Sequence, residues 1–205
     1  MPDRVPSGAR LIDRVCAAPY NSAMSVDLSG KRVLVLGAET EVGRAVASAV
    51  AEAGASVAAV AATSGAEAAF AVQRLVRRLS SGDRKVIAQA IDARNEMAVR
   101  VMVRQVSKEL AGLDAIVVSA DSFDETMFEE VIRYGGRELG RSGEQGRILI
   151  VSPPHEDEAF LSDLFFREHT GRPRWWLSFW DSKELGSEDL VEAMLKAIAE
   201  PLSTG

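Results

Sequence analysis

The feature that most constrains this chain is a regular alternation. From Arg32 onward, short apolar runs rich in β-branched residues alternate with helix-length segments. The runs are Arg32–Leu36 (RVLVL), Ser56–Ala61 (SVAAVA), 85–90 (KVIAQA), Ala115–Ser119 (AIVVS) and 147–151 (RILIV). Each is too short for a helix. The first two read as strands buried on both sides, and the other three read as strands. Between them lie 41–53, Ala66–Leu79, Glu96–Leu110 and 124–139, all long enough for crossover helices. Strands separated by such helices build βαβ units, and βαβ units build a parallel sheet.

Local signals refine the frame. Gly54 follows the first helix at a position suited to a left-handed C-terminal cap. The second helix has Phe70, Leu75 and Leu79 at what reads as helical spacing, and Ser80-Ser81-Gly82-Asp83 closes it. The third carries Val99, Met102, Val103, Val106 and Leu110 on one stripe. Beyond the fifth strand, 155–168 reads as a helix with Phe160, Leu164 and Phe165 inward. Residues 174–180 (RWWLSFW) read as an aromatic strand. Ser187 reads as the N-cap of a last helix running to about Ala199, with Glu188 and Asp189 in its first turn. The expected fold is a doubly wound α/β domain over 28–205, with about six parallel strands in three layers. Residues 1–27 are mixed and contain Pro2, Pro6, Gly8 and Pro19. They read as an N-terminal arm, either an upstream extension before Met24 or a partner-binding segment.

Charge and composition remove several function classes. Net charge is −6 with no long basic block, which argues against nucleic acid or an anionic membrane surface as the main partner. No apolar run reaches the length of a membrane span. The first residues lack a continuous apolar stretch and so do not read as a secretory signal. Cys16 is the only cysteine, so no intrachain disulfide is available, which fits a reducing cytoplasm.

Four short motifs then fall in a telling order. The first strand enters Leu36-Gly37-Ala38-Glu39-Thr40-Glu41-Val42-Gly43. Ile91-Asp92-Ala93 follows the third strand, the run from Gly112 to Ala120 contains the fourth, and Gly146 to Ser152 contains the fifth. Together, over about 28–152, they resemble the short-chain dehydrogenase/reductase family. The resemblance implies an NAD or NADP site at the glycine turn, with Gly37, Glu41, Val42 and Gly43 at the pyrophosphate and Asp92 on the adenine side. Such a turn lets the backbone approach a pyrophosphate at a helix N-terminus.

The departures are as informative. Glu41 stands where the family has its middle glycine. Two readings stay open: Glu39 or Glu41 caps the helix and fills the phosphate site, or the side chain swings to solvent and a cofactor still binds. The second strand ends Ala61-Ala62-Thr63, without the acid that usually receives ribose hydroxyls or a nearby Arg for a 2′-phosphate. Asp92 also reads simply as a helix cap or turn residue.

The family's chemistry, as the resemblance implies it, needs a tyrosine acid, a lysine four residues later on one helix face, an ordering serine and an asparagine. This chain has two tyrosines, Tyr20 and Tyr134, and neither stands at the family position. Phe179-Trp180-Asp181-Ser182-Lys183 mimics the tyrosine–lysine motif with Phe for Tyr, yet the aromatic strand would put Phe179 on a strand and Lys183 in a loop. Ser152 lies one residue before the usual serine position, which is Pro153, and Ser119 stands in the family's asparagine motif. These positions read as degenerate, and the chain reads as a degenerate, truncated family member.

Elsewhere, His155 with Glu156, Asp157 and Glu158 reads as a solvated helix start or a metal site, and no metal is expected. His169 reads as a favourable helix C-terminal residue. Trp175, Trp176, Phe179 and Trp180 must divide between two strand faces, one of which could meet another subunit or a ligand. The leading expectation is a non-catalytic structural or regulatory subunit that associates with itself or with an active relative. The helices at 124–139 and 155–168 are the expected contacts. Alternatives are an NAD(P)-dependent oxidoreductase with atypical residues around Ser152 and His155, and a nucleotide-binding sensor.

Overall fold

A computed structural model of the 205-residue chain describes residues 26–80, 84–121, 124–143, 146–152, 175–181 and 187–200. Eleven described elements follow in order: β1 (Arg32–Leu36), α1 (Glu41–Glu52), β2 (Ser56–Ala61), α2 (Ala66–Leu79), β3 (Val86–Ala90), α3 (Glu96–Leu110), β4 (Ala115–Ser119), α4 (Glu125–Ser142), β5 (Gly146–Ser152), β6 (Trp175–Asp181) and α5 (Ser187–Ala199). The strands form one sheet in the order β3-β2-β1-β4-β5-β6, and every neighbouring pair is parallel. The chain builds outward from β1 to β3, crosses back, and builds outward again from β4. β1 and β4 therefore flank the point where the winding reverses, and the loops leaving their carboxyl ends diverge. Open α/β sheets bind ligands in that crevice.

The sheet is buried on both faces because its central strands are apolar along most of their length. On β1, Leu34 and Leu36 enter the core shared with α3 and α4. Val33 and Val35 enter the opposite core with α1, α2 and α5. All four are fully buried, and each such side chain stabilises the fold by about 1.5–3 kcal/mol. The result is the expected Rossmann-like arrangement of three layers.

Helix ends agree with the sequence to within a few residues. Gly54 takes the left-handed conformation, φ +100°, just past the C-cap of α1. Asn95 and Asp124 cap α3 and α4 by accepting from Ala98 N and Met127 N at 3.1 and 3.0 Å. α4 runs to Ser142, past the expected end at residue 139. The last helix starts on Ser187 itself. Phe70 corrects an expectation: it is 62% exposed, while Val72, Leu75 and Leu79 are buried. Leu75 lies five positions after Phe70, which is nearly one and a half helical turns, so the two cannot share a stripe. The stripe on α3 is buried as expected.

At the amino edge, Arg32 clamps β1 to β4. Its Nε and Nη2 donate to the two oxygens of Asp114, each at 2.8 Å, and its backbone N–H adds a bond of 2.9 Å to Oδ2. The side chains remain about a quarter exposed. Burial pushes the Asp114 carboxyl upward. The Arg32 hydrogen bonds and charge, with a smaller contribution from Lys31, outweigh it and hold the group below the usual carboxylate range. No helix among the described residues is long and apolar enough to cross a membrane. The expected arm up to residue 25 and the expected helix at 155–168 lie outside the described residues.

Candidate functional site at the carboxyl edge of the sheet

The glycine turn between β1 and α1 is shaped by its own backbone contacts. Gly37 has φ +85°, and a Cβ there would lie 1.8 Å from the Ser119 carbonyl oxygen. Only glycine fits that close approach of β1 to β4. At Gly43 a Cβ would lie 2.1 Å from the Gly37 carbonyl oxygen. Both glycines hold the first turn of α1 against the strand ends.

Thr40 is the hub of the turn. It is the N-cap of α1, and its Oγ1 accepts from Gly43 N at 2.9 Å. The same hydroxyl donates to the Gly37 carbonyl at 2.8 Å. It also lies 2.8 Å from Ser119 Oγ. Thr40 has one hydroxyl proton, already given to Gly37, so Ser119 is the donor in that pair. Ser119 is 4% exposed. A position expected from the resemblance to belong to a degenerate asparagine motif is thus tied into the phosphate-side turn.

These contacts correct one expectation. Neither Glu39 nor Glu41 caps α1; Thr40 does. Glu41, the first residue of the helix, is exposed, while Val42 is half-buried and Gly43 buried. Glu39 runs the other way, back across the crevice to the end of β2. Its Oε1 accepts from Ala62 N at 2.9 Å. Its Oε2 is buried and has no partner in hydrogen-bonding geometry among the described residues. Burial pushes this carboxyl above the usual range. The amides of Glu39 itself, Ala62 and Thr63 oppose the shift, and the charge of Asp121 adds to it.

Asp92 is exposed and makes a turn: its Oδ1 accepts from Arg94 N at 3.1 Å, and Asn95 rather than Asp92 caps α3. Ser152 is the last residue of β5 and pairs in register with Asp181. Phe179 lies on β6 opposite Ile150. On an extended strand a residue four positions later cannot share a helix face with it. Pro153, Lys183 and His155 lie outside the described residues. Tyr134 sits on α4, where its hydroxyl donates to Glu96 Oε1 at 2.5 Å. The Arg137 and Arg100 guanidinium groups lie 5.5 and 5.9 Å from its ring centroid. The Glu96 hydrogen bond raises its pKa above the ordinary phenol value. Among the described residues no three His, Cys, Asp or Glu side chains gather as a metal site.

The sequence carried a signal for the Thr40 cap, a threonine three residues before a helical glycine. It carried none for the reach of Glu39 to a residue twenty-three positions away.

Comparison with known proteins places this geometry. The family model described as short chain dehydrogenase matches residues 31–133, just over half of the chain. A short-chain type dehydrogenase/reductase from Mycobacterium marinum is 27% identical with a TM-score of 0.54, over 62% of this chain and 56% of that one. A protein of Sinorhizobium meliloti whose structure is described as of short-chain alcohol dehydrogenase type is also 27% identical, with a TM-score of 0.52, over 63% and 57%. A hydroxysteroid dehydrogenase from Escherichia coli shares the fold at 19% identity and a TM-score of 0.54, over 70% and 64%. The chain thus spans less than two thirds of the length of each of these proteins. No curated protein matches it. With the parallel sheet, the glycine turn at its reversal point and this match together, the chain belongs to the short-chain dehydrogenase/reductase family.

Proposed function

We propose that this chain is a non-catalytic member of its family, a structural or regulatory subunit that pairs with itself or with an active relative. The observation that carries the reading is the state of its tyrosines. Reducing a carbonyl by hydride transfer needs a proton donor whose pKa lies near the working pH. Tyr134 has its proton committed to a carboxylate, and its pKa is pushed away from that range. Tyr20 precedes the first strand. The position that mimics the family tyrosine is Phe179, whose ring has no proton to give and whose backbone is a strand.

The residues of the crevice fit a dinucleotide unevenly. On the ribose side, Glu39 Oε2 is a buried acceptor without a partner among the described residues. On the pyrophosphate side, Glu41 replaces a glycine. A carboxylate about 4 Å from a phosphate charge costs roughly 4 kcal/mol at the effective dielectric near 20 of a protein surface. Glu41 is exposed, so its side chain can turn to solvent and lengthen that separation. That observation favours a second reading, a nucleotide-binding sensor without turnover. Gly37, Val42 and Gly43 would then hold the pyrophosphate as backbone, and Asp92 would stay a turn residue. The nicotinamide would supply hydride chemistry if bound, and the chain would supply binding without a phenol acid at the family's tyrosine position.

The helix Glu125–Ser142, the segment 155–168 and the aromatic strand β6 are the proposed contact surfaces, and the proposed compartment is the cytoplasm. The test is direct. The purified full chain is mixed with NADH or NADPH and a panel of ketones and aldehydes, and nicotinamide absorbance is followed. No oxidation above buffer is expected, and turnover overturns the reading. Light scattering should show an oligomer, alone or with an active relative. A monomer in both samples overturns the subunit assignment.

A further inference from the structure

Three observations bear on one corner of the crevice. β2 ends Ala61-Ala62-Thr63, so it lacks the acid that dinucleotide folds place there to receive a ribose 2′-hydroxyl. Glu39, delivered from the neighbouring glycine turn, sets its carboxylate on the Ala62 amide at the same strand end, 2.9 Å away. One oxygen of that carboxylate is satisfied; the other is shut off from solvent and lacks a partner among the described residues.

A buried, unpartnered carboxylate oxygen is costly to keep, and a native structure that keeps one needs a reason. Bulk water does not reach it in this conformation, and the carboxylate must turn toward the crevice before a donor can. The group that would saturate it is an O–H donor that enters the crevice over β2, where the winding places a nucleoside ribose. From this juxtaposition we infer that Glu39 takes over the ribose-receiving role of the missing β2 acid, and that the chain binds nucleotides carrying a free 2′,3′-diol in preference to those carrying a 2′-phosphate. A diol donates an O–H hydrogen bond to the orphaned oxygen. A 2′-phosphate has no proton to give there and brings its charge against the carboxylate, with Asp121 adding to the same negative field. The acid has moved from strand end to turn, and the same place in space is served. The inference goes beyond the non-catalytic reading and is independent of it, because binding and turnover are read separately.

Calorimetric titration of the full-length chain with NAD⁺ and NADP⁺ tests it. NAD⁺ should bind at least about tenfold more tightly than NADP⁺. Glu39→Gln, nearly isosteric, should weaken NAD⁺ about tenfold and narrow the gap between the two nucleotides. Thermal melts of the free variant report whether it is folded, and NAD⁺ should raise the melting temperature of the wild type more than that of the variant. Equal affinity of the wild type for both nucleotides overturns the inference. So does the absence of binding by either, and so does unchanged or tighter NAD⁺ binding by Glu39→Gln, which would make Glu39 a plug. Failure here leaves the hydride-transfer result untouched, and turnover there leaves this one untouched.

Discussion

Replacing Thr40 with valine keeps the shape of the side chain and removes its hydroxyl, so the cost can be worked from the three contacts it makes. The N-cap bond to Gly43 N is lost, at about 1 kcal/mol. The Gly37 carbonyl loses one donor but keeps the Thr40 backbone N–H at 3.0 Å, so it stays satisfied. Ser119, 4% exposed, loses the acceptor for its hydroxyl, and a buried unsatisfied hydroxyl costs about 1–3 kcal/mol. The sum is a loss of roughly 2–4 kcal/mol. The decisive arm is the double variant. Ser119→Ala in the Thr40→Val background removes the orphaned hydroxyl, so it should restore about 1 kcal/mol, whereas in the wild type it should destabilise. Urea unfolding followed by circular dichroism gives all four stabilities. A loss below about 0.5 kcal/mol for Thr40→Val, or strict additivity of the two substitutions, would refute the description of Thr40 as the hub of the turn.

Other expectations follow from the same geometry. Gly37→Ala should cost about 3 kcal/mol or more in the same assay, because φ +85° and a 1.8 Å approach to the Ser119 carbonyl oppose any Cβ; an unchanged midpoint would mean that β1 and β4 do not approach so closely. Asp114 is held below the usual carboxylate range, so its contribution is present above about pH 4 and is lost as pH falls through the folded-state value. Asp114→Asn should cost about 1–2 kcal/mol at neutral pH, given its partial exposure, and flatten the acid limb of a stability–pH curve; a parallel curve would argue against the clamp. Glu39 is shifted the other way, so its contribution is fullest below the usual carboxylate range and is lost as pH rises through the folded-state value. Glu39→Gln should therefore gain on the wild type as pH rises from that range to neutrality, and a pH-independent difference would contradict the buried placement.

The frame of this molecule was written in hydrophobic periodicity. RVLVL, SVAAVA and AIVVS are apolar at all but their end positions because both faces of β1, β2 and β4 meet helices, and that pattern survives whatever the loops do. Phe70 misled because a large apolar residue near a buried stripe looks like part of it until the angle is counted. The site was legible only where its chemistry is local. Gly37 and Gly43 announce a tight turn, and Thr40 precedes its helix as a cap should. The bond from Glu39 to Ala62 and the hydroxyl pair of Thr40 and Ser119 join residues far apart in sequence, and only the reversal of the winding brings them together. In sequence, Glu39 and Glu41 flank Thr40 as two ways to fill the phosphate site. The fold separates them, one to solvent and one to the end of β2.

Hydride transfer itself is the most direct test of the central claim. Single-turnover mixing of a large excess of the full-length chain with NADH, and separately with NADPH, in the presence of each of a broad set of carbonyl compounds, removes any demand for fast product release. Nicotinamide absorbance should fall no faster than in the protein-free control, and Phe179→Tyr alone should not change this, because position 179 lies on a strand. A stoichiometric burst of nicotinamide oxidation by the wild-type chain would contradict the central claim.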